Sequence, residues 1–312
     1  MSENRIRELV IIGAGVAGLS AGIYAGRAKM DTLMLESAFP GGQAALTNEV
    51  ENYPAIDNIS GPELANNMLE QALKFGAELK TTSVTSVELD GDIKTIHTTD
   101  GDIEAKTVII ATGAKPKKLG FDGEDKFYGR GISYCATCDG FFFQDCDVFV
   151  IGGGNSAVEE ALFLTRFARK ITMIVRRDAL SCTKSIADEV LKSPTIDIKY
   201  NTELLGVSGA FKMESAEFLN NKTGEKWNYV PAEGEKFGVF VFVGYDPESA
   251  LFAGQVELSE HGYILADERL RTNIPGVFVA GDVRAKELRQ IITASADGAA
   301  AAVEAEKYLS NQ

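Results

Sequence analysis

The sequence predicts an α/β chain of two Rossmann-like, three-layer dinucleotide-binding domains, the second inserted in the first. Three observations carry this. A strand, glycine turn and helix start stand near residue 13, the same pattern returns near residue 152, and strand-like apolar runs follow each copy. A chain of 312 residues, 45% apolar with 31 glycines, is long enough for two such cores.

In the first copy, Leu9-Val10-Ile11-Ile12 reads as a buried strand and Gly13-Ala14-Gly15-Val16-Ala17-Gly18 as the turn into a helix continuing through Leu19, Ile23 and Tyr24. The chemistry needs three small residues. Gly13 permits the tight turn, Gly15 lets backbone approach a pyrophosphate, and Gly18 lets the helix pack on the strand, with the phosphates on the helix N-terminus. The next strand, Thr32-Leu33-Met34-Leu35, ends in Glu36, a carboxylate placed to accept ribose hydroxyls and to repel a 2′-phosphate.

The second copy is Val148-Phe149-Val150-Ile151-Gly152-Gly153-Gly154-Asn155-Ser156-Ala157, in which Gly152, Gly154 and Ala157 each lie 139 residues after Gly13, Gly15 and Gly18 (152 − 13, 154 − 15, 157 − 18). Its following strand, Ile171 to Val175, ends in Arg176 and Arg177, a cationic pair suited to the 2′-phosphate of NADP. A tight turn without a ligand and a solvated strand end are the plain alternatives; the repetition of the whole pattern weighs against them.

Between the copies, Val84 to Leu89, Thr95 to Thr99 and Thr107-Val108-Ile109-Ile110 have the pattern of short strands and lead into Ala111-Thr112-Gly113. The polar stretch Ala114-Lys115-Pro116-Lys117-Lys118 reads as a connection, and Gly244-Tyr245-Asp246-Pro247 as its return. The expected first domain is therefore residues 1–114 with 245–312, and the second is residues 115–244. Residues 276–281 read as a further buried strand, and Gln290 to Ser310 as an Ala-rich helix.

Four cysteines, Cys135, Cys138, Cys146 and Cys182, are too few and too unevenly spaced for a secreted disulfide framework. Cys135-Ala136-Thr137-Cys138 has the spacing of a reversible redox pair, with half a zinc site or two inert thiols as alternatives. No metal is expected, because only His97 and His261, both read as surface residues, accompany the cysteines. Asp139 either manages the proton of exchange or caps a helix. The net charge of −14 argues against a nucleic-acid partner. The polar start and the glycine-broken apolar run suggest neither signal peptide nor membrane span, and hence a cytoplasmic location.

Taken together and in order, Gly13 to Gly18, Gly41-Gly42-Gln43, Glu51-Asn52-Tyr53-Pro54, Ala111-Thr112-Gly113, Cys135 to Asp139, Gly152 to Ala157, Ala280-Gly281-Asp282 and Arg289-Gln290-Ile291 resemble the low-molecular-weight thioredoxin reductases over essentially the whole chain. The resemblance implies FAD among Glu36 to Gln43, Asn52, Gly113, Asp282, Arg289, Gln290 and Ile291, and NADPH at Gly152, Gly154, Asn155, Ser156, Ala157, Arg176 and Arg177. It implies that Cys138 faces the flavin, that Cys135 attacks thioredoxin, and that Asp139 assists proton transfer. It further implies hinges near residues 114–118 and 243–247, and a homodimer.

One departure bears on the electron source. The family usually has His-Arg-Arg and, three residues later, another Arg; here Val175 precedes Arg176 and Arg177, and Ser181 takes the last place. Each lost charge-assisted contact is worth about 1.5–3 kcal/mol, so NADPH is expected to bind more weakly unless Lys184 compensates. NADH or reduced ferredoxin are the alternative donors. Two other functions share the motifs: a flavin-dependent dithiol oxidase, which typically has a basic residue near its C-terminus, and a non-catalytic redox-sensing flavoprotein.

Overall fold

The structure is a computed structural model that describes residues 5–47 and 49–312. The chain divides into two compact units, one made of the residues up to Lys115 together with Asp246–Gln312, the other of Pro116–Tyr245.

The first unit is organised by a seven-stranded sheet in the order Glu78–Thr81, Thr32–Glu36, Arg7–Ile12, Gly101–Ile110, Lys94–Thr98, Val84–Glu88, with Val277–Val279 also paired to Gly101–Ile110. Side chains alternate across a strand, so the apolar runs split between two faces. Leu9, Ile11, Met34, Ile109 and Phe278 meet the helices Val16–Arg27 and Ile291–Ser310 on one side, while Val10, Ile12, Leu33, Leu35, Val108 and Val279 meet Phe252, Val256 and Ile264 on the other. Parallel strands covered on both faces need this continuous apolar sequence. Each fully buried Leu or Ile contributes about 1.5–3 kcal/mol.

Gly101–Ile110 serves two partners along one edge. Its first half pairs antiparallel with Lys94–Thr98, from Lys94 opposite Ala105 to Thr98 opposite Gly101. Its last three residues pair in parallel with Val277–Val279. The apolar pattern marked only Thr107 to Ile110, because the hairpin arm carries Asp102 and Glu104. The helices Val16–Arg27 and Ile291–Ser310 approach so closely that a Cβ on Gly298 would lie 2.0 Å from the Ala17 carbonyl oxygen.

The second unit repeats the plan on a smaller scale. Five parallel strands run in the order Ile196–Tyr200, Lys170–Val175, Asp147–Ile151, Phe237–Val241, Ile132–Ser133. One face packs Val148 and Val150 against Ala157, Val158 and Ala161 of the helix Asn155–Leu164. The other packs Phe149 and Val239 against an antiparallel meander of Thr202–Ser208, Ser215–Asn220 and Lys226–Tyr229, where Phe218 and Trp227 stack with centroids 4.1 Å apart. The connecting segments Ala114–Pro116 and Tyr245–Pro247 pair with each other as a two-stranded ribbon.

Candidate active site

Gly13 has φ of +102°, and a Cβ there would sit 2.5 Å from the Ala111 carbonyl oxygen, so the turn admits only glycine. A Cβ on Gly18 would meet the Gly13 oxygen at 1.9 Å, which fixes helix against turn. Gly15 is different: a Cβ there would have only the Gly42 Cα nearby, at 3.8 Å, so the fold itself does not require glycine at this position. Gly15 caps the helix Val16–Arg27 without a side-chain hydrogen bond, and no acidic residue stands in the first turn. The leading N–H groups are thereby left for an anion.

A cleft of about 760 Å³ opens over this turn within the first unit. Of the residues singled out from the sequence, Gly13, Gly15, Glu36, Gly41, Gly42, Gln43, Gly113, Asp282, Gln290 and Ile291 line it. The Glu36 carboxylate accepts from the Ala14 N–H at 3.0 Å and the Ala38 N–H at 3.1 Å, which holds it at the strand end beside the turn. Gly18, Asn52 and Arg289 are not in the lining. Asn52 Nδ2 instead donates to Gln290 Oε1 at 3.1 Å, and the Arg289 guanidinium lies 4.2 Å above the Tyr263 ring.

Asp282 stands on a short turn of helix, Gly281–Val283, and burial pushes its carboxyl above the ordinary aspartate range. Its Oδ1 is ion-paired with Lys286 Nζ at 3.2 Å. Behind it, Asp297 accepts from Arg284 Nε at 2.9 Å, Arg284 Nη2 at 3.0 Å, Lys286 Nζ at 3.1 Å and the Gly281 N–H at 3.1 Å. Sequence reasoning did not find Arg284, Lys286 or Asp297. The available signal was a lone carboxylate among the small residues Ala294, Ser295, Ala296, Gly298 and Ala299.

At the second turn, Gly152 has φ of +142°, and a Cβ there would lie 2.5 Å from the Phe242 oxygen. Gly154 is open, with only Ser181 Oγ at 3.9 Å, and caps the helix Asn155–Leu164 without a side-chain bond. Ser156 follows, exposed, and Ala157 is fully buried under the turn. Asn155 Oδ1 accepts the Thr183 N–H at 2.8 Å, and the Ser181 N–H donates to the Gly153 oxygen at 2.7 Å, so residues 181–183 are laced to the turn. Val175 is 3% exposed and faces Gly153, where a Cβ would be 2.8 Å from its Cγ1. The strand end is thus sealed by an apolar residue, and the cations begin at the exposed Arg176 and Arg177. Asp178 is engaged by Lys222 at 3.2 Å rather than by either arginine.

Cys135 and Cys138 form a disulfide, with Cα atoms 5.3 Å apart. This geometry answers the open alternatives for the pair. Cys135 precedes the single turn Ala136–Asp139, and its Sγ accepts from the Cys138 N–H at 3.2 Å. Ser133 Oγ accepts the Cys135 N–H at 3.0 Å and donates to the Cys135 oxygen at 3.2 Å. Burial raises the Asp139 carboxyl above its ordinary range, opposed by a hydrogen bond from Ser133. A carboxyl whose protonated form is favoured by burial, directly after Cys138 in the chain, has the chemistry of a proton donor or acceptor for thiol exchange. Cys146 is a buried free thiol, pushed up by burial, and Cys182 is free and half-buried.

Comparison with known proteins gives one picture. The pyridine nucleotide-disulphide oxidoreductase family matches residues 7–298. A thioredoxin reductase of Peptoclostridium litorale is 50% identical over 306 residues, covering 97% of each chain. One of Listeria monocytogenes is 43% identical over 309 residues, covering 99% of this chain and 95% of the relative. The crystal structure of thioredoxin reductase from Streptococcus pyogenes superposes with a TM-score of 0.93 at 42% identity, over 99% of this chain and 100% of that one. No helix among the described residues is long and apolar enough to cross a membrane.

Proposed function

The chain belongs to the low-molecular-weight thioredoxin reductases, within the pyridine nucleotide-disulphide oxidoreductase family, and on that premise we propose that it passes electrons from NADPH through FAD and the Cys135–Cys138 disulfide to thioredoxin. The observation that carries this is the closed disulfide beside Asp139, in a chain whose two glycine turns each leave an open helix N-terminus.

FAD fits the cleft of the first unit. The uncapped helix at Gly15 would receive the pyrophosphate, Glu36 would accept adenosine ribose hydroxyls, and Asp282 would lie by the ribityl and pyrophosphate region. Gly41, Gly42 and Gln43 with Gly113, Gln290 and Ile291 complete the walls, and Asn52 holds Gln290 in place. When bound, FAD supplies the two-electron carrier between a nicotinamide and the disulfide. At the second turn, Gly152, Gly154, Ser156 and Ala157 would cradle the dinucleotide, Asn155 ties the 181–183 loop to the turn, and Arg176 and Arg177 would contact a 2′-phosphate.

Reduction breaks the Cys135–Cys138 bond and adds two electrons and two protons, giving two thiols. The Cys135 thiolate attacks the disulfide of thioredoxin, Cys138 then displaces the reduced partner, and the intramolecular bond is restored. Asp139 takes and returns the proton of the attacking thiol. The enzyme acts as a cytoplasmic homodimer in this reading, on family likeness.

The test is anaerobic reduction of the flavin by NADPH, NADH and reduced ferredoxin in parallel, followed by turnover with thioredoxin. Rapid bleaching by NADPH with thioredoxin turnover is expected. Bleaching by ferredoxin alone discards NADPH as donor, and oxygen consumption driven by a dithiol without nicotinamide discards the reductase reading.

A further inference from the structure

Tyr134, the residue before Cys135, is 6% exposed and is gripped at both ends. Its hydroxyl donates to Glu124 Oε1 at 2.6 Å, and its carbonyl oxygen accepts from the Tyr245 hydroxyl at 2.7 Å. Glu124, itself 3% exposed, also accepts from the Leu119 N–H at 3.1 Å and the Gly120 N–H at 2.6 Å. Leu119 and Gly120 follow directly on the segment by which the chain enters Pro116–Tyr245, and Tyr245 closes that unit. The two segments also bond to each other, the Lys117 N–H donating to the Gly244 oxygen at 3.0 Å. The residue next to the redox sulfur is thus hydrogen-bonded to the closing end of its unit directly and to the entering segment through Glu124.

We propose that Glu124 and Tyr245 are positioning residues for Cys135, acting through Tyr134, and that they link the redox state of the Cys135–Cys138 pair to the conformation of residues 117–120 and 243–245. This rests on the reading of the pair as the reductase's working disulfide.

The physical case is one of reciprocity. The Tyr245 bond is made to the carbonyl of the peptide that joins Tyr134 to Cys135, so any turn of that peptide when the sulfurs separate stretches it. The Ser133 hydroxyl, bonded to both the N–H and the carbonyl oxygen of Cys135, leaves the adjoining backbone little other freedom. Burial and the Glu124 carboxylate hold the Tyr134 phenol well above its ordinary range, so it stays a neutral donor across working pH. If opening the disulfide loosens the clamp, loosening the clamp must by linkage favour the open disulfide to the same factor.

The experiment equilibrates the FAD-loaded enzyme anaerobically with oxidised and reduced dithiothreitol, quenches in acid, and counts free thiols by alkylation and mass spectrometry. Amide exchange over 117–120 and 243–245 is followed in parallel. The dithiol donates two electrons and two protons and is itself closed to its cyclic disulfide, so the exchange balances without another reductant. In the wild type, reduction is expected to speed exchange in both segments. Tyr245→Phe is expected to shift the equilibrium about 3- to 10-fold toward the dithiol, the range of one neutral hydrogen bond, and Tyr134→Phe, which removes a bond to a buried carboxylate, at least as far; both are expected to show fast exchange while still oxidised. Glu124→Gln, which keeps an acceptor for the tyrosine but sets an amide donor against the Gly120 N–H, is expected to speed exchange at residues 119–120 and to shift the equilibrium in the same direction. Wild-type equilibrium and wild-type exchange in both Phe variants would overturn the proposal, as would exchange in the wild type that ignores redox state. Failure of the wild type to turn over thioredoxin would instead sink the functional reading, since the thiol equilibrium does not depend on that partner.

Discussion

A Cβ added at Gly13 would meet a carbonyl oxygen from the neighbouring strand end at 2.5 Å, and a Cβ added at Gly152 would meet one at the same distance. The glycine two residues later, Gly15 or Gly154, is open in both copies, so the chain makes one backbone device twice. What differs is the material at the end of the following strand. In the first copy Glu36 is pinned by two N–H groups and shares a cleft with the buried carboxyl of Asp282. In the second, an apolar plug at Val175 is followed by two exposed arginines and a serine bonded back to the turn. The two copies thus share their backbone and differ in the charge at the next strand end, a carboxylate in one and two arginines in the other.

The strongest break of this symmetry is expected at the closed glycines. Gly18→Val forces a side chain into the space where a Cβ would already lie 1.9 Å from the Gly13 oxygen. It is expected to cost more than about 3 kcal/mol and to yield protein without flavin, read by thermal unfolding and the flavin spectrum. The open glycines sharpen the contrast. Gly15→Ala should leave the melting of the flavin-free protein within a degree or two, yet weaken FAD at least about 10-fold, because the methyl occupies the approach to the pyrophosphate. Gly154→Ala should do the same for the nicotinamide nucleotide alone.

Next in size is the charge at the second strand end. Arg176→Ala is expected to weaken NADPH by about 10- to 100-fold while leaving NADH nearly unchanged, and the effect should shrink as salt rises. Equal loss for both nucleotides in a titration would show that Arg176 does not read the 2′-phosphate. Smallest is the gain from Ser181→Arg, which adds a cation beside the turn and should tighten NADPH about 3- to 10-fold. Val175→His, by contrast, should destabilise the second unit, since that position is buried against Gly153.

Much of this was legible in the residues because glycine turns and a two-residue cysteine spacing are local patterns with few physical alternatives. Gly13, Glu36 and the paired cysteines needed no knowledge of the fold. Reading Val175 only as a missing phosphate contact missed that it is a core residue, because burial at a strand end depends on what lies across the turn. Asp297 with Arg284 and Lys286, and Glu124 with Tyr134 and Tyr245, were illegible for a related reason. Their residue types are ordinary, and the Tyr134–Tyr245 bond joins positions 111 apart in the chain.

The strand Gly101–Ile110, whose two halves serve different partners, carries a consequence for synthesis. Its hairpin half finds Lys94–Thr98 within a few residues, but Val108 to Ile110 wait for Val277–Val279, which leave the ribosome only after all of Pro116–Tyr245. An apolar strand edge in the first unit is therefore left bare through the making of the second, the kind of edge that seeds misassembly in growing chains. The contiguous unit can complete its sheet while translation continues. The divided one can close only when the last quarter of the message has been read, so early termination leaves a folded second unit attached to an unfinished, aggregation-prone first.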